Sequence, residues 1–185
     1  MLRMNRRTYI LLSAFVIAVL IATATSCNEL ETYSEIPKVE FVKVFLSDTT
    51  DKELGNKVKL HEITIKITDG DGNLGLNRNE PDTLKNLFIT MFKKSNGEYV
   101  RTADSTFSCR IPYKQPIGQN KYLRAEVIIH METSRQIITY DTIRYEIYVQ
   151  DRLNNLSNTE VSCDIPIRQN GTVYADGHIE NEAAK

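Results

Sequence analysis

The chain has 185 residues, 41% hydrophobic and 25% charged, with 23 basic side chains against 24 acidic ones. That length holds one domain, or two small ones at most. A net charge of −1 with no concentrated basic stretch argues against nucleic acid as a partner.

The N-terminus reads as a targeting segment. "MLRMNRRTY" carries Arg3, Arg6 and Arg7 and no acid, "ILLSAFVIAVLIA" is apolar from Ile10 to Ala22, and small residues lead to Cys27. This is the order of a secretory signal, and the apolar run is short for a bilayer span of about 20 residues. "ATSC" resembles a lipobox, after which the new N-terminal Cys27 carries lipid; Ala24 stands where many such boxes have Leu. A retained anchor helix is the alternative. Either way the folded part is expected outside the cytoplasm and tethered to a membrane, stably so if several acyl chains are attached. Cleavage before Cys27 removes three arginines and leaves a net charge of −4, which disfavours adhesion to anionic lipid. Residues 1–26 are thus read as signal, 27–37 as a tether, 38–168 as the domain and 169–185 as a flexible tail.

From Val39 onward the pattern has a period of two. "VEFVKVFLS" predicts a first strand and "VKLHEITIKIT" a long second one. In the second, Val58 and Leu60 are out of phase with Ile63, Ile65 and Ile67, so a bulge near His61 or Glu62 is expected. "LKNLFITMFKKSNGEYVRT" predicts a hairpin turning at Asn96-Gly97. "STFSCRIP" is a shorter strand. "KYLRAEVIIHMET" puts Leu123, Ala125, Val127, Ile129 and Met131 on one face. "DTIRYEIYVQD" puts Ile143, Tyr145, Ile147 and Val149 on one face and Arg144, Glu146, Tyr148 and Gln150 on the other. "NTEVSCDIPI" makes the last strand. Roughly seven or eight strands of this kind predict an all-β, antiparallel β-sandwich, with an up-and-down barrel as the alternative. Cys109 and Cys163 lie in strand-like runs; they are a candidate disulfide or two buried free thiols.

"DTIRYEIYVQDRLNNLSN" resembles the end of an immunoglobulin-like or fibronectin-type domain. Asp141 and Tyr145 have the spacing of a tyrosine corner, which implies a Tyr145 hydroxyl bonded to nearby backbone. Asp151 and Asn155 match the Asp-x-x-x-Asn hairpin of bacterial Ig-like domains. Together with "ATSC" and "TDGDGNLGL", these residues make the chain similar to small Bacteroidota-type lipoproteins over most of residues 27–168. The resemblance implies an outer-membrane lipoprotein with an Ig-like sandwich, on the periplasmic or the cell-surface side. Glu29 and Glu31 after the lipid site loosely resemble an acidic surface-export tag. No activity comes with the resemblance.

"DGDGN" is the sequence's one stretch of metal-like chemistry. Asp69, Asp71 and Asn73 offer three side-chain oxygens on alternate residues, and the intervening glycines let the loop curl, as calcium sites require. Counted from Asp69, the EF-hand positions one, three, five and twelve hold Asp69, Asp71, Asn73 and Glu80. The obligatory glycine at six is Leu74, and a strand enters where a helix should, which excludes an EF-hand. A calcium loop at the end of a sandwich remains, with Asp151 as a fourth candidate ligand; ordinary turn chemistry is the alternative. A structural role is expected, in which Asp71→Ala lowers the melting temperature only when calcium is present.

Zinc spacings, nucleophile elbows, phosphate loops and dinucleotide fingerprints are absent from the sequence, and His61, His130 and His178 are far apart in it. No catalytic residue is nominated, and the chain is read as a non-enzyme. The expected function is that of a lipid-anchored binding or assembly module with an envelope protein as partner. A glycan-binding lipoprotein is the alternative, disfavoured by the lack of Trp, and a hydrolase with an unrecognised site comes after it.

Overall fold

The computed structural model describes Arg7 and residues 33–115 and 121–181. Apart from Arg7, the expected signal segment lies outside these residues, as do Cys27 and the first part of the expected tether.

Ten strands run in order. They are β1 Lys38–Thr50, β2 Lys57–Asp69, β3 Leu87–Ser95, β4 Glu98–Cys109, β5 Leu123–Ser134, β6 Thr142–Val149, β7 Glu160–Val161, β8 Ile165–Pro166, β9 Gly171–Tyr174 and β10 Ile179–Asn181. They form two antiparallel sheets, ordered β10-β9-β1-β2-β5 and β4-β3-β6-β7, with β8 also paired to β6. One apolar cluster joins the inner faces, so the domain is a β-sandwich. Val39, Val44, Ile63, Ile65 and Ile67 from the first sheet meet Leu87, Ile89, Ile143, Tyr145 and Ile147 from the second, all of them fully buried.

The alternations in β5 and β6 hold as expected. Ile143, Tyr145, Ile147 and Val149 face inward without exposure, and Ile129 and Met131 face inward on β5. The Asn96-Gly97 turn has φ of 52° and 86°, the doubly positive pair that lets a two-residue hairpin follow the strand twist. "STFSCRIP" is no separate strand; its first residues complete β4.

The bulge falls elsewhere than expected. β2 pairs with β5 in unbroken register from Val58↔Ser134 to Asp69↔Leu123, so nothing resets its phase near His61. The irregularity is in β1, between Phe41 and Lys43. There it serves the same end: Val39 and Phe41 before it, and Val44 and Leu46 after it, all reach the core. The unbroken phase of β2 turns Lys59 and His61 inward in place of Val58 and Leu60.

The bulge also divides the outer edge of β1. Past it, residues Lys43–Leu46 pair with β9. Before it, side chains from the β6–β7 connection and the first residue of β7 supply the partners. Asn158 accepts from Val39 N–H at 2.8 Å and donates to Val39 O at 2.9 Å, and Glu160 accepts from Phe41 N–H at 3.1 Å. An amide and a carboxylate thus complete an edge that would otherwise be bare.

Within the expected flexible tail, residues 171–174 and 179–181 are in fact part of the sheet. β9 and β10 form a hairpin on β1, and Val173 is 2% exposed. The polar composition of 169–185 hid one two-residue alternation, Gly171 and Val173, which is enough for a short strand. Removing two buried carbons with Val173→Ala is expected to cost about 1.5 kcal/mol in urea unfolding; an unchanged midpoint would show that β9 is not part of the cooperative fold. The end of the expected tether is docked too. Pro37 is buried, Gly70 N–H donates to Ser34 O at 2.7 Å, and Tyr33 packs on Tyr122.

Candidate functional site

Asp69 ends β2 and points inward, in phase with Ile65 and Ile67. It is fully buried. Its Oδ2 accepts from Leu74 N–H at 2.9 Å, while its Oδ1 has no hydrogen-bond partner. Two residues on, Asp71 accepts from Asn73 N–H at 3.1 Å and from Asn73 Nδ2 at 2.6 Å. That leaves Asn73 Oδ1 buried and also without a partner. Burial, joined by the charges of Asp71 and Asp151, raises the Asp69 carboxyl from 3.8 to about 6, against the pull of the Leu74 hydrogen bond.

The loop is held from both sides. Gly70 lies against the incoming chain, where an added Cβ would sit 2.2 Å from Tyr33 O. Gly75, at φ +111°, lies against Tyr113, whose Cα would be 2.5 Å from an added Cβ. Leu76 pairs with the β4–β5 connection through Leu76 N–H to Ile111 O and Tyr113 N–H to Leu76 O, at 2.9 and 3.0 Å. Between them Leu74 drops into the core at 1% exposure.

Asp151 comes near enough to Asp69 for their charges to interact. Its oxygens are already used. Oδ1 accepts from Leu153 N–H and Asn155 N–H, both at 2.8 Å, and Oδ2 from Asn155 Nδ2 at 2.8 Å. This closes the Asp-x-x-x-Asn loop, with Asn154 at φ 67°. Asp151 therefore shapes its own turn. Glu80 turns away as well, accepting from Asn77 N–H and facing Arg152 at 3.7 Å. Among the described residues, no three His, Cys, Asp or Glu side chains converge on one point.

Cys109 and Cys163 are both free thiols. Cys109 ends β4, and Cys163 lies between β7 and β8 on the far side of β6. With β3 and β6 between them, three strand spacings of about 4.8 Å separate the two, roughly 14 Å against the 7 Å that a disulfide spans. Burial raises both thiols above their ordinary range, and Cys163 Sγ donates to Tyr174 O at 3.2 Å.

The outer face of the second sheet gathers aromatic rings around arginine. Arg144 on β6 lies 3.8 Å from the Tyr99 ring centre and 6.0 Å from that of Phe92. Phe88 stacks on Tyr148 at 4.9 Å with 16° between planes. The register accounts for the grouping, since Phe92↔Arg144 and Phe88↔Tyr148 are direct cross-strand partners. Beside the stacked pair, Gln150, Leu156, Ser157 and Thr159 line an open groove of about 200 Å³. Of this set, the alternation of β6 indicates only that Tyr148 and Arg144 face outward; the aromatic cluster depends on register.

The histidines occupy three different settings. His130 is exposed and pairs with Glu62 at 3.1 Å, and His178 stacks on Tyr174. His61 is fully buried, with Nδ1 2.5 Å from the Tyr145 hydroxyl. The hydroxyl expected to bond nearby backbone as a tyrosine corner thus bridges the two sheets. Its own strand is satisfied without it: Ser162 Oγ accepts from Tyr145 N–H, and Ser162 N–H donates to Tyr145 O. Lys59, also fully buried, reaches Asn170 Oδ1 at 2.7 Å and Asp48 at 3.0 Å.

Comparison with protein-family profiles, with curated proteins and with solved structures finds no match.

Proposed function

We propose that the chain is a lipid-anchored protein of the bacterial cell envelope, attached at Cys27, whose Ig-like sandwich is a non-catalytic module that binds another envelope protein. The observation that carries this reading is the ring-and-arginine face built from Phe88, Phe92, Tyr99, Arg144 and Tyr148. Tyr and Arg dominate binding hot spots, because rigid rings and a planar cation give large contact area at small entropic cost. The face ends at β4, a sheet edge that could be extended by a partner strand.

The strand order supports the Ig-like part of the reading. β1, β2 and β5 correspond to strands A, B and E of an Ig-type sandwich. β3, β6 and β7 correspond to C, F and G, and β4 corresponds to an added C′. The order of the N-terminal sequence supports the anchor.

The test is a crosslinked pull-down of the full chain from membranes of cells that make it. One reproducible protein partner is expected, recovered at least tenfold less with Arg144→Ala and Tyr148→Ala. Recovery of no partner, or equal recovery with both variants, overturns the reading. The stacked Phe88–Tyr148 pair beside polar groove residues favours a glycan as the second reading. It predicts a thermal shift with an envelope polysaccharide that Tyr148→Ala abolishes.

A further inference from the structure

We propose that the loop from β2 to β3 binds a calcium ion through the side-chain oxygens of Asp69, Asp71 and Asn73. Acceptors outnumber donors in this loop. Asp69 is fully buried, and its Oδ1 accepts nothing. Asn73 Oδ1 is buried and accepts nothing, because the amide nitrogen is committed to Asp71 Oδ2 at 2.6 Å. Asp71 is an acceptor throughout. Unpaired buried acceptors of this kind cost roughly 1–3 kcal/mol each, and more when charged. A single cation placed among them would satisfy all of them together.

The chemistry of the donors selects the ion. Every available atom is a hard oxygen, which excludes zinc, with its preference for nitrogen and sulfur. The donors sit on a tightly curled loop, with further backbone carbonyls and water to complete the shell. Calcium accepts such irregular shells of six to eight oxygens, whereas magnesium demands a near-ideal octahedron. Only two carboxylates contribute, since Asp151 is occupied by its own turn and Glu80 faces Arg152. A low charge count places the affinity at the weak end, with a dissociation constant on the order of 10⁻⁴–10⁻³ M, as in extracellular calcium modules.

The local backbone shows what the ion would do. Asp69 Oδ2 already holds Leu74 N–H, and Gly70 N–H is held by Ser34 O. An ion at Asp69 would fasten the incoming chain, the end of β2 and the Leu74 anchor to one another. It would stabilise this end of the sandwich and do no chemistry.

The rival explanation is a proton shared between Asp69 and Asp71. Thermal unfolding of the full chain in detergent separates the two, run at pH 7.5 after dialysis against EDTA, with calcium chloride titrated to 10 mM and magnesium chloride as control at equal ionic strength. The melting temperature is expected to rise by roughly 3–6 °C with calcium and by less with magnesium. Asp69→Asn and Asp71→Asn should each abolish the rise, while Asp151→Asn should keep it. If Asp69→Asn does not fold, the half-exposed Asp71 supplies the comparison. Identical melting with calcium and with EDTA overturns the site. An equal rise with magnesium, or a rise that survives in the Asp69 and Asp71 variants, overturns it as well.

Discussion

Lowering the pH from 7 to 4 is expected to take about 3 kcal/mol from the stability of the native chain relative to a His61→Leu/Tyr145→Phe variant. His61 sits in the middle of the core, with Tyr145 on Nδ1 and no partner on Nε2. Burial, with the charge of Lys59 adding to it, pushes the imidazole from 6.5 down to about 4. The sign follows from the proton count. Between pH 6.5 and 4 the unfolded chain binds a proton at this residue and the folded chain does not. The stability from a neutral His61 is therefore complete above pH 6.5, falls as the pH drops through that window, and levels off below about 4. The gap of about 2.5 pH units corresponds to about 3 kcal/mol. Burial holds the Tyr145 phenol well above 10, so it does not titrate in the window.

Asp69 does titrate there, with the opposite sign. Its folded-state value of about 6 lies above 3.8, so the folded chain binds that proton more tightly and loses stability as the pH rises. Comparison with the double variant cancels this contribution, because Asp69 is present in both proteins. Both members of the His61–Tyr145 pair are replaced because Tyr145→Phe alone strands Nδ1 at a cost of about 1–3 kcal/mol. Urea unfolding at pH 7 and pH 4 measures the effect. A stability difference between the two proteins that is the same at both values would refute the account of His61.

His61 also shows what one-dimensional pattern can and cannot carry. The period of two in β5 and β6 identified their inward residues correctly, because the inward positions of both strands are apolar without a break from Leu123 to Met131 and from Ile143 to Val149. β2 breaks that rule at its start, with Lys59 and His61 inward and Val58 and Leu60 on the other side. A sequence reader restores an apolar face by inserting a bulge. The fold instead keeps the phase and pairs the polar groups, His61 with Tyr145 and Lys59 with Asn170 and Asp48. Those partners are 84 and 111 residues away in the chain, or 11 away on the neighbouring strand, so no local window contains the first two. β9 was hidden for a related reason: four residues hold a strand when an edge of β1 is waiting for them, and that edge is a property of the assembled sheet. At the Asp loop, the residue types and spacing of Asp69, Asp71 and Asn73 were legible. The self-sufficiency of Asp151 was not, because it depends on the turn that Asp151 itself closes.

Replacing Leu74 by alanine is expected to cost about 3 kcal/mol, within the range of 2–5 kcal/mol for truncating a buried leucine. Leu74 is the residue that denies the loop an EF-hand reading, since a glycine belongs at that place. The structure supplies the physical reason for the departure. An EF-hand loop projects between two helices and needs a sharp turn, whereas this loop closes the end of a sandwich and needs an anchor. Leu74 is 1% exposed within the shared core of the two sheets, and its N–H holds Asp69 Oδ2. One residue therefore fixes the loop through both its side chain and its backbone. Leu74→Gly, which restores the glycine of the EF-hand pattern, should cost about 1 kcal/mol more than Leu74→Ala through added backbone entropy, and should weaken the response to calcium. The control is Leu54→Ala, at a position 77% exposed in the β1–β2 turn, expected to stay within about 0.5 kcal/mol of the native chain. Equal urea midpoints for the Leu74 and Leu54 variants would remove the anchor. A stronger calcium response in Leu74→Gly would return the loop to the EF-hand class from which its fold now separates it.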